Sequence, residues 1–235
     1  MIEDNLEIVM GEVLDACERA HRDPDSVRLM AVTKNVSSEE ISEAYSLGLR
    51  LFGENRVQEA RTKTEAGVFG DSKICLIGHL QTNKASLAAR LFDAVHSVDS
   101  TRVVDALSRF SVLYRPKGRG VEVMIEVNVG RDPRKHGVMP EDAYDLAKHT
   151  IGLPGVTLTG LMTVPPGMGD LAMARQAFRE LRTLRDRLVD LRIDAENLNE
   201  LSMGMSGDYQ VAIEEGATII RLGTALFGPR AGSRR

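Results

Sequence analysis

Eight short apolar runs, each separated from the next by a segment with helix chemistry, constrain this chain more than any other feature of its sequence. They span Arg28 to Lys34, Arg50 to Asn55, Ile74 to Leu80, Ala94 to Ser100, Val121 to Val129, Leu158 to Val164, Asn197 to Met205 and Thr218 to Thr224. Several are nearly continuous in apolar residues, the pattern of parallel strands covered on their outer face by helices. Eight such units suggest closure into a single-domain, parallel (β/α)8 TIM-type barrel over residues 1–235, a length ordinary for that architecture. An open doubly wound sheet is the structural competitor, and periodicity does not separate the two.

The intervening segments read as helices. Leu6, Val9, Met10, Val13, Leu14 and Cys17 recur at helical spacing, which adds an extra helix before the first strand. Ser37 or Ser38 can cap the helix after the first strand and Gly48 can close it. In ARQAFRELRTLRDRLVDLR, the residues Ala174, Ala177, Phe178, Leu181, Leu184, Leu188 and Leu191 form one apolar stripe. The arginines on its other face read as a solvated surface with pairs four residues apart.

A formal net charge of −4 argues against a nucleic-acid binder held by a general basic field and suits a small anionic ligand in a local basic pocket. The opening MIEDNLEIVM is acidic where a secretory signal would be basic. No apolar run approaches the roughly 18 residues of a membrane span, so a cytoplasmic protein with no membrane partner is expected. Cys17 and Cys75 give no disulfide framework, and Cys75 with His79 supplies too few ligands for a zinc site, so no metal is expected. The absence of a long exposed apolar stripe favours a monomer.

A parallel barrel builds its site at the carboxyl ends of its strands. Here those ends carry Lys34, Glu54 and Asn55, His79, Ser97 and Asp99, Asn128, Met162 and Thr163, Ser202, and Arg221. Lys34 follows an apolar strand; it either snorkels to solvent or presents a free amine to the mouth, where it can form a Schiff base with an aldehyde. After the seventh run, LSMGMSGD places Ser202, Gly204, Ser206 and Gly207 in one turn, with Ser206 or Asp208 able to cap the next helix. After the eighth, Gly223 and Thr224 begin another helix. Loops in those two places commonly grip phosphate in this fold, although ordinary capped turns would look the same. Closure makes the first and eighth strands neighbours, so one phosphorylated aldehyde can touch both Lys34 and the grip.

The motifs AVTK, LFGENRVQEA, IGHLQTNKA, VHSVDS, GLMTV and LSMGMSGDYQVAIEEGATIIRLGTALFG, covering about Arg28 to Gly228, are similar in order and spacing to the pyridoxal phosphate homeostasis protein family. The resemblance implies a barrel like the N-terminal domain of alanine racemase, with pyridoxal 5′-phosphate (PLP) held on Lys34. It implies that Asn55 lies beside the cofactor, that Ser202, Ser206, Gly223 and Thr224 hold its phosphate, and that Arg221 faces the pyridine nitrogen. His79 and Met162 look like ring-side or mouth-lining positions, His79 equally like a structural histidine. The chain departs from many relatives at Thr33, where they have serine, and at Ile74 and Cys75, where they have a Trp-His pair.

Family members are regarded as carriers or regulators of PLP without robust catalysis, whose partners would include PLP-dependent apoenzymes; no catalytic residue is therefore assigned. The alternative is a PLP-dependent amino-acid racemase. A charged guanidinium at the pyridine nitrogen offers no acceptor and favours the unprotonated ring, a weaker electron sink. Alanine racemase resembles that arrangement and still works, so the ending at Arg235, where a second domain bearing a catalytic tyrosine is expected to be missing, weighs more. Tyr209 lies near the phosphate turn, but its position suggests packing on the next helix. A barrel binding some other phosphate ester is the third reading. The turn VPPGMGD after the sixth run reads as either a connector or a flap.

Overall fold

The computed structural model describes residues 1–167, 169–191, 193 and 198–229. Its eight strands are all parallel and close in chain order: β1 (Arg28–Val32), β2 (Leu51–Glu54), β3 (Lys73–Leu76), β4 (Ala94–Val98), β5 (Val121–Glu126), β6 (Val156–Met162), β7 (Glu200–Ser202) and β8 (Ile219–Leu222). The (β/α)8 barrel is therefore the fold, and the open sheet is excluded. The ring closes where Arg28, Leu29, Met30 and Ala31 pair with Ile219, Ile220, Arg221 and Leu222. Each strand ends before its apolar run does, and the polar residues at the carboxyl end form the mouth. The start of the seventh run, Asn197, lies outside the described residues.

Strand side chains alternate between two environments. Met30, Leu51, Cys75, Ala94, Met124, Met162 and Ile219 fill the barrel interior as one small cluster. A larger core lies between the outer face of the strands and the helices. Those helices are α1 (Ile2–Arg19), α2 (Ser38–Ser46), α3 (Val57–Glu65), α4 (Ala85–Leu91), α5 (Thr101–Tyr114), α6 (Ala143–Ile151), α7 (Leu171–Asp190), α8 (Tyr209–Glu214) and α9 (Thr224–Phe227). At α2, Ser37 makes a full capping box with Glu40, and Gly48 follows in the left-handed region at φ 96°.

Two helices differ from the sequence reading. In α1 only part of the expected stripe is buried: Val9, Val13 and Cys17 face the core, while Met10 and Leu14 are exposed. The reason is that α1 lies across α8 and α9 rather than in a deep groove. Asn5 donates to the Leu226 carbonyl at 2.8 Å, and Arg19 pairs with Glu214 at 2.8 Å. In α7 the arginines are not merely a solvated face. Arg175, Arg179 and Arg182 all pair with buried Glu215, just past α8. Burial pushes the Glu215 carboxyl up, but the hydrogen bonds and charges of these arginines outweigh it, so its pKa is lowered.

No helix among the described residues is long and apolar enough to cross a membrane. The α7 stripe tests the packing directly. Phe178 is 0% exposed and Leu191 is 60% exposed. Phe178→Ala is expected to lower unfolding free energy by about 3–5 kcal/mol. Leu191→Ala should stay within about 0.5 kcal/mol of the parent, both read from urea titrations.

Candidate functional site

Parity along β1 sets the site. Met30 lies in the barrel interior, and Val32 and Lys34, two and four residues on, line a cavity of about 390 Å³ at the mouth. The same cavity is lined by Asn55 after β2, Ile77 after β3, Val164 and Asp170 after β6, Met205 to Asp208 after β7, and Arg221, Gly223 and Thr224 of the eighth unit. Its size falls in the usual range for small-molecule sites. Lys34 lines the cavity and makes no hydrogen bond or ion pair among the described residues.

The turn carrying Lys34 is fixed from below. Lys63 of α3, 8% exposed, donates to the Thr33 carbonyl at 2.6 Å and to Glu54 and Glu59 at 2.8 Å each. The Thr33 hydroxyl donates to Glu54 at 2.6 Å, and the Asn35 amide donates to Glu59 at 2.6 Å. The backbone on both sides of Lys34 is thus held by one charged cluster, and Asn35 takes a left-handed φ of 57°. Burial raises the Glu54 pKa against the opposing bonds from Lys63 and Thr33. Glu59 is also pushed up by burial, yet Lys63 and the Asn35 amide bring it below its ordinary value.

The turns after β7 and β8 are joined to each other. Ser206 Oγ accepts from the Ala225 amide of α9 at 3.1 Å, and Asp208 accepts from the Met205 amide at 2.6 Å. Asp208 stands at the N-cap position of α8, as the sequence allows, but makes no side-chain cap bond there; both side chains brace the loop instead. Gly204 sits at φ 93°, where an added Cβ would lie 2.6 Å from the Ala212 Cβ. A glycine is therefore required for this loop to turn over α8. Across the mouth, a Cβ on Gly78 would lie 2.2 Å from the Asn55 carbonyl oxygen, so that glycine lets the β2 and β3 loops meet and brings Asn55 to the cavity.

Arg221 forms the floor. It is 4% exposed, and its guanidinium donates to the Ser202 carbonyl, to Ser202 Oγ at 2.9 Å and to the Thr163 carbonyl at 2.8 Å. Burial lowers its pKa to about 10, which leaves it charged at neutral pH. Ser202 Oγ lies 3.0 Å from His96 Nδ1, and burial together with Arg221 lowers the His96 pKa to about 3. This imidazole is neutral, and its Nδ1 can accept a hydrogen bond from the Ser202 hydroxyl. At the end of β5, burial and the charge of Asp99 raise the Glu126 pKa to about 7, with Arg221 opposing.

Of the nine residues singled out in the sequence, Lys34, Asn55, Ser206, Arg221, Gly223 and Thr224 line the cavity. Ser202 lies beneath it as a support for Arg221, and Met162 is packed in the barrel interior. His79 borders a separate cleft with Asp99. Cys75 is buried in the interior, where desolvation pushes its thiol up to about 12, and forms no ligand pair with His79. Lys63, His96 and Glu126 were not singled out. The spacing of Glu59 and Lys63, four apart on one helix, was the one signal available for the first. Tyr209, as its position suggested, packs away from the cavity, and its hydroxyl bonds Glu12 of α1.

The donor set fits a phosphorylated aldehyde. An unpartnered amine stands at one wall, a hydroxyl- and glycine-bearing pair of turns at another, and a buried cation beneath. Residues 14–231 match the family described as alanine racemase, N-terminal domain. The pyridoxal phosphate homeostasis protein of Aquifex aeolicus (strain VF5) is 43% identical over 228 residues, covering 97% of each chain. That of Pseudomonas aeruginosa is 40% identical over 230 residues, covering 97% of this chain and 96% of its own. PipY of Synechococcus elongatus PCC7942, solved with PLP bound, has a TM-score of 0.83 and 37% identity, with 97% of this chain and 100% of that chain covered. Alanine racemase from Corynebacterium glutamicum, at 14% identity and a TM-score of 0.65, shares the fold; the match covers 98% of this chain and 62% of that enzyme.

Two variants probe the supports. Lys63→Met leaves Glu54 buried without its cation and is expected to cost about 3–5 kcal/mol in urea unfolding, part of which Lys63→Met with Glu54→Leu should recover. Burial raises the folded pKa of Glu126 from the ordinary carboxylate range to about 7. The folded state therefore binds this proton more tightly than the unfolded chain, and stability falls as pH rises through that window. Glu126→Gln should match the parent below about pH 4 and exceed it by about 3 kcal/mol above about pH 8, measured as urea midpoints.

Proposed function

This chain belongs to the pyridoxal phosphate homeostasis protein family, and from that premise we propose that it binds PLP at the barrel mouth, covalently through Lys34, to hold and hand on the cofactor in the cytoplasm. The observation that carries the reading is the sharing of one cavity by an unpartnered Lys34 and the turns after β7 and β8. Loops in that position are the recurrent phosphate grip of this fold. PipY, whose whole chain is covered by the match, is described with PLP bound.

In this reading the Lys34 amine would hold the cofactor's aldehyde carbon, the aldehyde oxygen leaving as water, while Ser206, Gly223 and Thr224 would hold the phosphate and Asn55 would border the ring. Arg221 faces the ring nitrogen. Ser202 acts through Arg221: its hydroxyl and carbonyl, with the Thr163 carbonyl, fix the direction of the guanidinium. His79 and Met162 are left out of the contact set because neither lines the cavity. Residues 1–235 would act as one binding unit, working as a monomer.

Bound PLP supplies an electron sink that a protonated ring nitrogen strengthens. A guanidinium donor at that nitrogen disfavours the proton, so Arg221 suits storage better than carbanion chemistry. Tyr209 does not supply a general acid, since its hydroxyl is engaged by Glu12 on α1 and burial raises its pKa. These features support a non-catalytic role with PLP-dependent apoenzymes as recipients.

Incubation with PLP followed by borohydride should leave a stable adduct, located on Lys34 by peptide mass spectrometry. Lys34→Ala should bind PLP only reversibly; an identical covalent adduct in that variant would reject the assignment. Ser206→Ala should weaken PLP about tenfold by equilibrium titration, the effect of one lost hydrogen bond to a charged group. Rapid exchange of amino-acid α-protons with solvent, at the roughly 10 per second of a median enzyme, would instead favour a racemase.

A further inference from the structure

On the side of the mouth formed by β3, β4 and the loop after β5, three side chains converge that the cofactor reading does not use. His79 Nδ1 lies 3.1 Å from Asp99 Oδ2. The His79 and His136 rings stack with centroids 3.9 Å apart and planes at 10°. One ligand atom from each of His79, Asp99 and His136 lies within 4.8 Å of the other two. From this geometry we propose that the three residues form a binding site for a divalent transition-metal ion of the zinc class.

The donor chemistry suits such an ion. Two imidazoles and one carboxylate are a common three-ligand set for zinc, leaving a fourth position for water. Donors at about 2.0–2.2 Å from a tetrahedral ion stand roughly 3.4 Å apart. The His79 and Asp99 atoms already have nearly that spacing, and only His136 has to swing inward. His136 makes no hydrogen bond among the described residues, so its nitrogens lose no partner on turning.

Each donor also arrives on an anchored backbone. The Gly78 carbonyl, next to His79, accepts from Ser97 Oγ at 2.7 Å. Asp99 Oδ1 accepts from Ser100 Oγ at 3.3 Å, which leaves Oδ2 for the site. The loop bearing His136 is held on one side by Lys135, donating to the Pro165 carbonyl at 2.9 Å. On the other side, Val138 bonds the backbone of Glu126 and Asn128. No thiolate takes part, because Cys17 and Cys75 are both buried elsewhere. A bound ion would tie the loop after β5 to the ends of β3 and β4, two residues beyond Ile77 in the cavity wall.

The test is calorimetric titration of Zn²⁺ into chelator-stripped protein, with and without added PLP. Visible spectra with Co²⁺ report the ligands. One ion per chain is expected under both conditions, so failure of the cofactor assignment would leave this result unchanged. Cobalt should give d–d bands with no thiolate charge-transfer band. His79→Ala and His136→Ala should each weaken Zn²⁺ at least tenfold, while His149→Ala, which removes a surface histidine paired with Asp105, should not. Absence of saturable one-to-one binding, or equal affinity in the parent and both site variants, would overturn the proposal.

Discussion

Everything at the mouth depends on the parallel pairing of β1 with β8. Arg28 to Ala31 run beside Ile219 to Leu222, which places residues almost two hundred positions apart in neighbouring rungs. The amine at the end of the first strand and the guanidinium and glycine turn of the last unit then share one cavity. An open sheet with the same elements would put them at opposite edges. The segment before β1 supports the same junction from outside, through Asn5 of α1 on the Leu226 carbonyl of α9 and Arg22, just after α1, on the carbonyls of Ile213 and Ala217.

Around that junction the barrel buries more charge than its interior alone could tolerate. The cations Lys63 and Arg221 are each matched by hydrogen bonds, because an uncompensated buried ion would cost several kcal/mol. Lys63 bonds Oε1 of Glu54 and Oε1 of Glu59 while holding the Thr33 carbonyl, and Glu54 Oε2 is left buried without a partner among the described residues. Arg221 is met by two carbonyls and a hydroxyl rather than by a carboxylate in contact. The first cluster positions an amine without neutralising it; the second leaves a cation at the cavity floor. Together they leave Lys34 and Arg221 as the cations of a cavity whose wall also carries Asp170 and Asp208.

The fold was largely legible because burial on both faces writes a strand as a continuous apolar run, and eight runs leave few ways to close. The ends of those runs were less legible: Ser202 and Arg221 stand at strand ends, yet only Arg221 borders the cavity, and one register step separates a wall from its support. Met162 illustrates the same limit, since its parity points it into the interior. His79 stands at a strand end but on the far side of the mouth, beside Asp99 and His136, a grouping that only tertiary structure assembles. His96 and Glu126 sit inside apolar runs, where pattern reading treats a polar residue as an exception and gives no partner for it. The arginines of α7 were misjudged for a similar reason, because Glu215 lies on another helix.

The central claim is that one PLP molecule bridges Lys34 and the turns after β7 and β8. Crystallographic density for the protein loaded with PLP tests it most directly. Continuous density is expected from Lys34 Nζ to a ring over Arg221, ending in a phosphate enclosed by Ser206, Gly223 and Thr224. A phosphate seated elsewhere, or a ring joined to any other lysine, would contradict the account.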